Sequence, residues 1–463
     1  MSTAPRIVVV GTGPAGVRAA QALVQAGLRP TVVDEGRRDG GQIYRRQPEG
    51  FKRSYAKLYG SEAGKAQALH QDFDALRPHI DYRGDTLAWN LTEKTLHLVH
   101  AGQAETLGFD ALLVCAGATD RLMPVAGWHR AGCYSLGASQ IALKAQACAI
   151  GQRVVFMGSG PLLYLVASQY QQAGAQVAAV LDTAPAAKSW GAITGLLARP
   201  TLALRGLGLI RGLRRAGVPV LQGVAPLLIE GDERLGVQAV QVRDAQGRTQ
   251  RFECDAVGLG WHLRAETQLA DLARCEFDFE PVSRQWLPRI DADGRSSTPT
   301  VYLAGDGARI LGADGAEAAG RLAALAALND LAHAQGRALY ENESATLRRT
   351  LAQMDRFRVG LARAFPWPHA QAATLPDEAV VCRCEAVTVG ELRRCVNELG
   401  SQEVNRAKAF SRVGMGRCQG RFCGHAAAEI VAQACAIPIE QVGRLRSQAP
   451  VKPLMMDTLE AVE

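Results

Sequence analysis

Four cysteines near the C-terminus fall as two close pairs, Cys382 with Cys384 and Cys418 with Cys423, with 33 residues between the pairs. Thiolates are the ligands of zinc and of iron-sulfur centres, and two short chelating loops joined by a folded segment bring them together at small entropic cost. Zinc sites usually pair their ligands as CxxC or close to it, whereas this chain offers CxC and then Cx4C. The asymmetry favours an iron-sulfur cluster, with structural zinc and four metal-free thiols as the alternatives. Such a cluster passes single electrons, so it needs a centre to exchange them with.

The second chemistry-bearing stretch lies at the other end. An apolar run, RIVVV, is followed by Gly11-Thr12-Gly13-Pro14-Ala15-Gly16, an amphipathic segment and a second apolar run, PTVVDE. Glycines at these three positions allow a tight turn, close approach to a pyrophosphate and close helix packing, with the helix N-terminus aimed at the phosphates. Asp34, with Glu35 after it, ends the second run 18 residues beyond Gly16. There a carboxylate accepts from ribose hydroxyls and repels a 2'-phosphate, so FAD or NAD is expected rather than NADP.

A second glycine turn, Gly158-Ser159-Gly160, precedes a helical pattern and an apolar run ending at Asp182. Its third glycine position is Leu163, which would hold the helix off the strand, so a retained scaffold is expected there and NAD is not. Two further strand ends carry small residues: Ala116-Gly117 after ALLVC, and Ala304-Gly305-Asp306 after TVYL. No CxxC occurs, which argues against dithiol reductase chemistry.

Composition narrows the classes. At 463 residues with 48% hydrophobic content the chain is globular with two to four domains. A net charge of +7, from 52 Lys and Arg against 45 Asp and Glu, without a basic run interleaved with aromatics, gives nucleic-acid binding little support. Eleven cysteines and an N-terminus without a long apolar core point to a reducing, cytoplasmic compartment, while attachment to the inner-membrane surface stays open.

The elements that must position these groups follow from periodicity. Residues 64 to 76 read as a helix, and alternating segments at IDYRGD, TLHLVH and ETLGFD suggest a small antiparallel sheet. Residues 184 to 218 combine apolar residues with Arg199, Arg205, Arg211, Arg214 and Arg215 and read as helices broken near Pro200, a candidate contact surface. Strands at VPVLQGV, PLLIEG, VQAVQVR and FECDAVGLG close the middle unit, and His262 and Cys115 read as structural. Between the cysteine pairs two short helices are expected, stopped at Gly400 and Gly414, with Cys395 in their core. Only the last ten residues read as a candidate tail.

Several motifs carry a family resemblance. CRCE followed by GMGRCQGRFC resembles the [2Fe-2S] domain of the bacterioferritin-associated ferredoxin type over roughly residues 377 to 443, and GGQIY, with Gly41 and Gln42, resembles the flavin-flanking element of thioredoxin-reductase-like flavoproteins. Taken with GTGPAG, CAGATDR, GSGPLL and AGDGARI, the whole chain resembles the FAD/[2Fe-2S] α (A) subunits of heteromeric opine oxidase and D-hydroxyproline dehydrogenase and the B subunit of hydrogen cyanide synthase. The resemblance implies an α/β flavoprotein with two dinucleotide-binding domains, like thioredoxin or glutathione reductase, plus a small helical cluster domain. The boundaries are then 1-121 and 263-345 for the two parts of the FAD domain, 122-262 for the middle domain, 346-376 for a linker and 377-463 for the cluster domain.

The resemblance further implies FAD on Gly11, Gly13, Pro14, Ala15, Gly16, Asp34, Glu35, Gly41, Gln42, Ala116, Gly117, Gly305 and Asp306, with Asp306 at the ribityl chain, and a [2Fe-2S] cluster on Cys382, Cys384, Cys418 and Cys423. It implies an electron relay for an oxidoreductase acting on CH-NH donors, with a D-amino-acid-oxidase-like flavoprotein β subunit for its partner. It also allows an FMN at an interface between subunits, and a small ferredoxin-like subunit. Glycine oxidation to cyanide and a self-sufficient NADH-dependent reductase are the alternative functions.

Overall fold

The computed structural model describes residues 4-454; the expected tail falls almost wholly outside them. Two parallel sheets carry the architecture. In the first, the strand Ile7-Val10 is central, flanked by Thr31-Val33 and Asp81-Arg83 on one side and by Ala111-Val114 and Val301-Leu303 on the other. Every pairing is parallel, which demands crossovers on the sheet faces. The central strand is buried along its length, hence four consecutive apolar residues rather than an alternation.

Two helices cover one face of this sheet, Pro14-Gln25 and Gly312-Asp330. They approach so closely that a Cβ on Gly320 would lie 1.9 Å from the Ala15 carbonyl oxygen, which explains the alanine-rich composition of both. The last strand and its helix come from residues 301 to 330, so one domain is assembled from discontinuous sequence.

The second sheet repeats the plan with Arg153-Ser159 at its centre, in the order Val220-Gln222, Gln176-Asp182, Arg153-Ser159, Ala256-Trp261, Cys133-Ser135. A three-stranded antiparallel sheet, Ala225-Asp232, Gly236-Arg243 and Thr249-Glu253, packs beside it. A short antiparallel ribbon, Ala118-Asp120 with Leu263-Ala265, joins the two halves.

Three expectations change. IDYRGD supplies the edge strand of the first parallel sheet, and the antiparallel meander is Thr86-Thr92, Thr95-His100 and Gln103-Gly108. Three residues of strand are too few to reveal whether both faces are covered. FECDAVGLG holds two strands in different sheets, because Cys254 and Asp255 interrupt it. The expected linker begins inside a helix, Ala334-Ala364, and only FPWP and the short turn Gln371-Thr374 connect that helix to the cluster domain.

The basic apolar segment forms Trp190-Leu196 and Pro200-Arg215, bent by 110°, with proline at the first position of the second helix, where its missing N-H costs nothing. Among the described residues no single helix is long and apolar enough to cross a membrane.

The cluster domain packs four helices, Val389-Asn397, Val404-Ser411, Gly424-Cys435 and Ile439-Val442. Thr388 caps the first: its hydroxyl accepts from the Glu391 N-H at 3.3 Å, while the Glu391 carboxylate accepts from the Thr388 N-H at 2.7 Å. Gly400 takes positive φ, +63°, as a stop should, whereas the helix expected to stop at Gly414 already ends at Arg412, which takes the left-handed conformation at φ +66°.

Candidate flavin and cluster sites

The first glycine turn is held by contacts that only glycine permits. A Cβ on Gly16 would stand 1.7 Å from the Gly11 carbonyl oxygen, and one on Gly11 would stand 2.4 Å from that of Cys115. Gly41, at φ +58°, lies against Gly13, its Cβ position 2.8 Å from the Gly13 Cα. The GGQ loop is thereby laid on the phosphate turn, and the Gly40 N-H donates to the Thr12 carbonyl at 2.9 Å. On the other side a Gly305 Cβ would lie 2.8 Å from that of Ala15, and a Gly307 Cβ 3.2 Å from the Gly117 nitrogen. Residues from positions 11, 16, 41, 117 and 305 thus form one cradle of bare backbone.

Asp34 lies at the tip of the second strand. Its carboxylate accepts from the Thr12 N-H and hydroxyl at 2.5 and 2.7 Å and from the Gly36 N-H at 2.6 Å. Burial pushes its pKa up, opposed by these bonds. Asp306 accepts from the N-H groups of Leu311 and Gly312 at 2.9 and 3.0 Å, and burial raises it to about 6. Two predicted residues stand apart: Glu35 is exposed and pairs with Lys452, and Gln42 is exposed and accepts from Arg45 at 2.9 Å.

In the middle unit the second glycine turn has different neighbours. The His262 ring lies 3.2 Å from the Cβ position of Gly160, and its Nε2-H donates to the Phe365 carbonyl at 2.7 Å. Asp182 is 0% exposed, with the Tyr164 hydroxyl donating to it at 2.6 Å and the Ala184 N-H at 2.8 Å. Leu163 is fully buried in that unit's core.

The cysteines converge through glycine as well. A Cβ on Gly416 would meet the Cys384 Cβ at 2.2 Å, so GMGRC carries glycine where the two ligand loops cross. Cys384 neighbours Cys418, Cys418 neighbours Cys423, and Cys423 neighbours Cys382. All four line a cavity of about 300 Å³ with Trp128 and Phe422. Hydrogen bonds from Cys423 hold Cys382 down at about 6 and Cys418 at about 5, and Cys423 itself is pushed up. Among the described residues no set of three or more His, Cys, Asp or Glu is arranged for a single metal ion. Four thiols on one cavity fit an iron-sulfur cluster, which is held by thiolates.

The arginines near the cysteines are not equivalent. Arg412 pairs with Glu385 at 2.8 Å and Arg417 is exposed, while Arg383 lies over the Trp128 ring at 5.2 Å and donates to the Cys133 carbonyl. Arg421 is buried, 8% exposed, and paired with Glu266 at 2.8 Å. Sequence reasoning missed Glu266 and its neighbour Arg264, because nothing local marks LRAE as facing a segment 155 residues away.

Comparison with known proteins agrees with this geometry. The pyridine nucleotide-disulphide oxidoreductase family model matches residues 5-326, and the BFD-like [2Fe-2S] binding domain model matches residues 380-433. The A subunit of opine oxidase from Agrobacterium tumefaciens (strain Ach5) is 37% identical over 98% of this chain and 91% of its own length. The HcnB subunit of hydrogen cyanide synthase from Pseudomonas protegens is 30% identical over 96% of each chain. Among solved structures, L-proline dehydrogenase from P. horikoshii superposes with a TM-score of 0.70 at 17% identity, covering 98% of this chain and 79% of that one, a likeness of fold. FAD and a [2Fe-2S] cluster are the cofactors that these matches and the two sites give the chain.

Proposed function

This chain belongs to the pyridine nucleotide-disulphide oxidoreductase family, in the group that includes HcnB and the A subunit of opine oxidase, and from that membership we propose that it is the electron-relay subunit of a heteromeric amine dehydrogenase or oxidase. The observation that carries the reading is the placement of the flavin cradle and the cluster cysteines on either side of one ribbon, Ala118-Asp120 with Leu263-Ala265. A flavin takes a two-electron hydride equivalent and releases electrons singly, which matches a one-electron cluster. The chain's own residues would do the positioning: Gly11, Gly13 and Gly16 would hold the diphosphate, Asp34 orders the phosphate turn and would hold the ribose side, Asp306 would hold the ribityl side, and the N-terminus of the Gly312-Asp330 helix would favour negative charge on the flavin.

The substrate is then an opine, D-hydroxyproline or a related amino acid, oxidised on a partner flavoprotein that resembles D-amino-acid oxidases. The bent pair of helices supports such a partner. Trp190, Leu197 and Leu204 are 78%, 65% and 65% exposed, and no carboxylate occurs between Asp182 and Glu230. Arg199 binds Asp314 at 3.2 Å, in the first turn of the helix beside the flavin cradle, so a partner docked there stands next to the flavin. A cytoplasmic location, with contact at the inner-membrane surface through these helices, belongs to the same proposal.

Co-expression with a D-amino-acid-oxidase-like partner tests it. The complex reduces a dye in the presence of the amine, the isolated chain does not, and Cys418→Ser removes the cluster's visible absorption while FAD stays bound. Full amine turnover by the isolated chain, with partners shown absent by mass spectrometry, overturns the relay assignment.

A further inference from the structure

Beside the ribbon between the two centres lies a largely buried ion pair, Glu266 with Arg421, whose ends touch both. The Glu266 N-H donates to the Gly117 carbonyl at 3.0 Å, and Gly117 stands against Gly307 in the flavin cradle. At its other end the Glu266 carboxylate accepts from Arg421 at 2.8 Å. Arg421 lies between Cys418 and Cys423 in sequence, and its backbone N-H donates to the Cys418 carbonyl at 3.1 Å. Its guanidinium is held further by the Val451 carbonyl at 2.7 Å. Arg264, on the same ribbon strand, donates to the Arg421 carbonyl at 3.1 Å, and Gln268 donates to that of Gln419 at 2.8 Å.

Two guanidinium groups and one carboxylate are thus fixed beside two of the four cluster ligands. Adding an electron makes the cluster one unit more negative, so a nearby cation favours the reduced state and a nearby anion disfavours it. The low-dielectric surroundings of buried groups strengthen both effects.

We propose that the trio Arg264, Glu266 and Arg421 sets the reduction potential of the cluster, the arginines raising it and Glu266 trimming it, so that electrons pass across the ribbon from flavin to cluster. The step adds one electron to the cluster's ferric pair without making or breaking a bond. The electron comes from the two-electron-reduced flavin and leaves to a one-electron acceptor. The proposal rests on the relay reading, because it requires a cluster on the four cysteines.

The test is a dithionite potentiometric titration of the full chain carrying both cofactors, read by the cluster's EPR signal. Glu266→Gln, close in shape, shifts the cluster midpoint upward; Arg421→Gln shifts it downward; Arg421→Lys stays near wild type. The flavin content stays unchanged in all three. Opposite signs from the two members of one ion pair are what a merely structural bridge does not produce. Should Arg421→Gln fail to fold, the upward shift in Glu266→Gln alone must appear. An unmoved midpoint in Glu266→Gln, with the cluster signal intact, overturns the inference and leaves the relay reading standing. A wild-type chain with zinc and no iron or sulfide overturns both.

Discussion

The two glycine turns of this chain start from similar sequence, GTGPAG and GSGPLL, and end in different states. In the first, backbone packs on backbone, and the turn faces a cradle lined by Gly13, Gly41, Gly117 and Gly305. In the second, Leu163 fills the core under the helix, Asp182 is locked by Tyr164, and His262 covers Gly160. Both strand-end acids, Asp34 and Asp182, accept from internal donors; the turns differ in the third position, Gly16 against Leu163, and in the ring that lies on Gly160. The difference teaches that one position decides how closely helix and strand approach: Gly16 lets backbone meet backbone, whereas the Leu163 side chain fills the core in its place.

The most drastic way to break the comparison is to give the first turn the second turn's side chain. Gly16→Ala already places a Cβ within 1.7 Å of the Gly11 carbonyl oxygen, so the helix must move off the strand. The purified variant is expected to retain essentially no FAD, read as flavin released on denaturation per chain. A variant with full flavin content would mean that the turn does not hold the diphosphate.

The reciprocal change acts on stability instead. Leu163→Ala removes a fully buried side chain from the middle core, at a cost of about 2–5 kcal/mol. Urea unfolding should show that loss while FAD content and the cluster's absorption stay at wild-type levels. Loss of FAD here would mean that the two halves are not energetically separable.

The residues beside the two turns also differ in the sign of their pH dependence. Burial lowers His262 from 6.5 to about 4, so the unfolded chain binds its proton first and stability is lost as pH falls from 6.5 towards 4. Burial raises Asp306 from 3.8 to about 6, so the stability linked to its protonation is present at low pH and lost as pH rises through 6. Each amounts to about 3 kcal/mol by linkage, with opposite slopes. In the flavin-free chain, His262→Gln should remove the acid-side loss and Asp306→Asn the acid-side gain, both measured by urea unfolding from pH 4 to 7. Equal slopes in the two variants would show that neither group carries the shift.

How much of this was legible beforehand follows the range of the contacts. The first turn, the two cysteine pairs, the Gly400 stop and the break at Pro200 are set within a few residues, and each stands where its pattern put it, while the helix expected to stop at Gly414 ends at Arg412. Leu163 was readable because a single position contradicts its own motif. Glu35 and Gln42 belong to the same readable motifs and are exposed, Glu35 beside Lys452 and Gln42 beside Arg45, since a motif fixes backbone before it fixes side-chain direction. The edge strand at IDYRGD, the extent of the Ala334-Ala364 helix and the Glu266-Arg421 pair depend on partners far along the chain, and no local period encodes them.

A smaller effect separates the two acidic residues. Asp34→Ala removes bonds to Thr12 and Gly36 that order the phosphate turn, and hydrogen bonds to a charged group are worth about 1.5–3 kcal/mol. FAD affinity of the deflavinated protein should fall accordingly, by fluorescence titration, with cluster content unchanged. Asp182→Asn, whose partners Tyr164 and Ala184 lie inside the middle unit, should leave FAD affinity where it was.

The last prediction is of almost no effect. For NADH to reduce the flavin, its diphosphate must reach the second turn and its nicotinamide must then lie between that turn and the first domain. The His262 ring lies 3.2 Å from the Cβ position of Gly160, its Nε2-H donates to the Phe365 carbonyl at 2.7 Å, and the Lys188 ammonium stands 4.5 Å from the Phe365 ring centroid. Clearing Gly160 would break the His262 bond and displace the end of the long helix. Stopped-flow mixing of the oxidised chain with saturating NADH should therefore show no flavin bleaching on the timescale of amine turnover, in wild type and in Leu163→Ala alike. Rapid bleaching in the wild type would restore nucleotide binding to the middle unit and favour a self-sufficient NADH-dependent reductase. Bleaching in Leu163→Ala only would single out that side chain, rather than the His262-Phe365 contact, as what keeps the second turn closed.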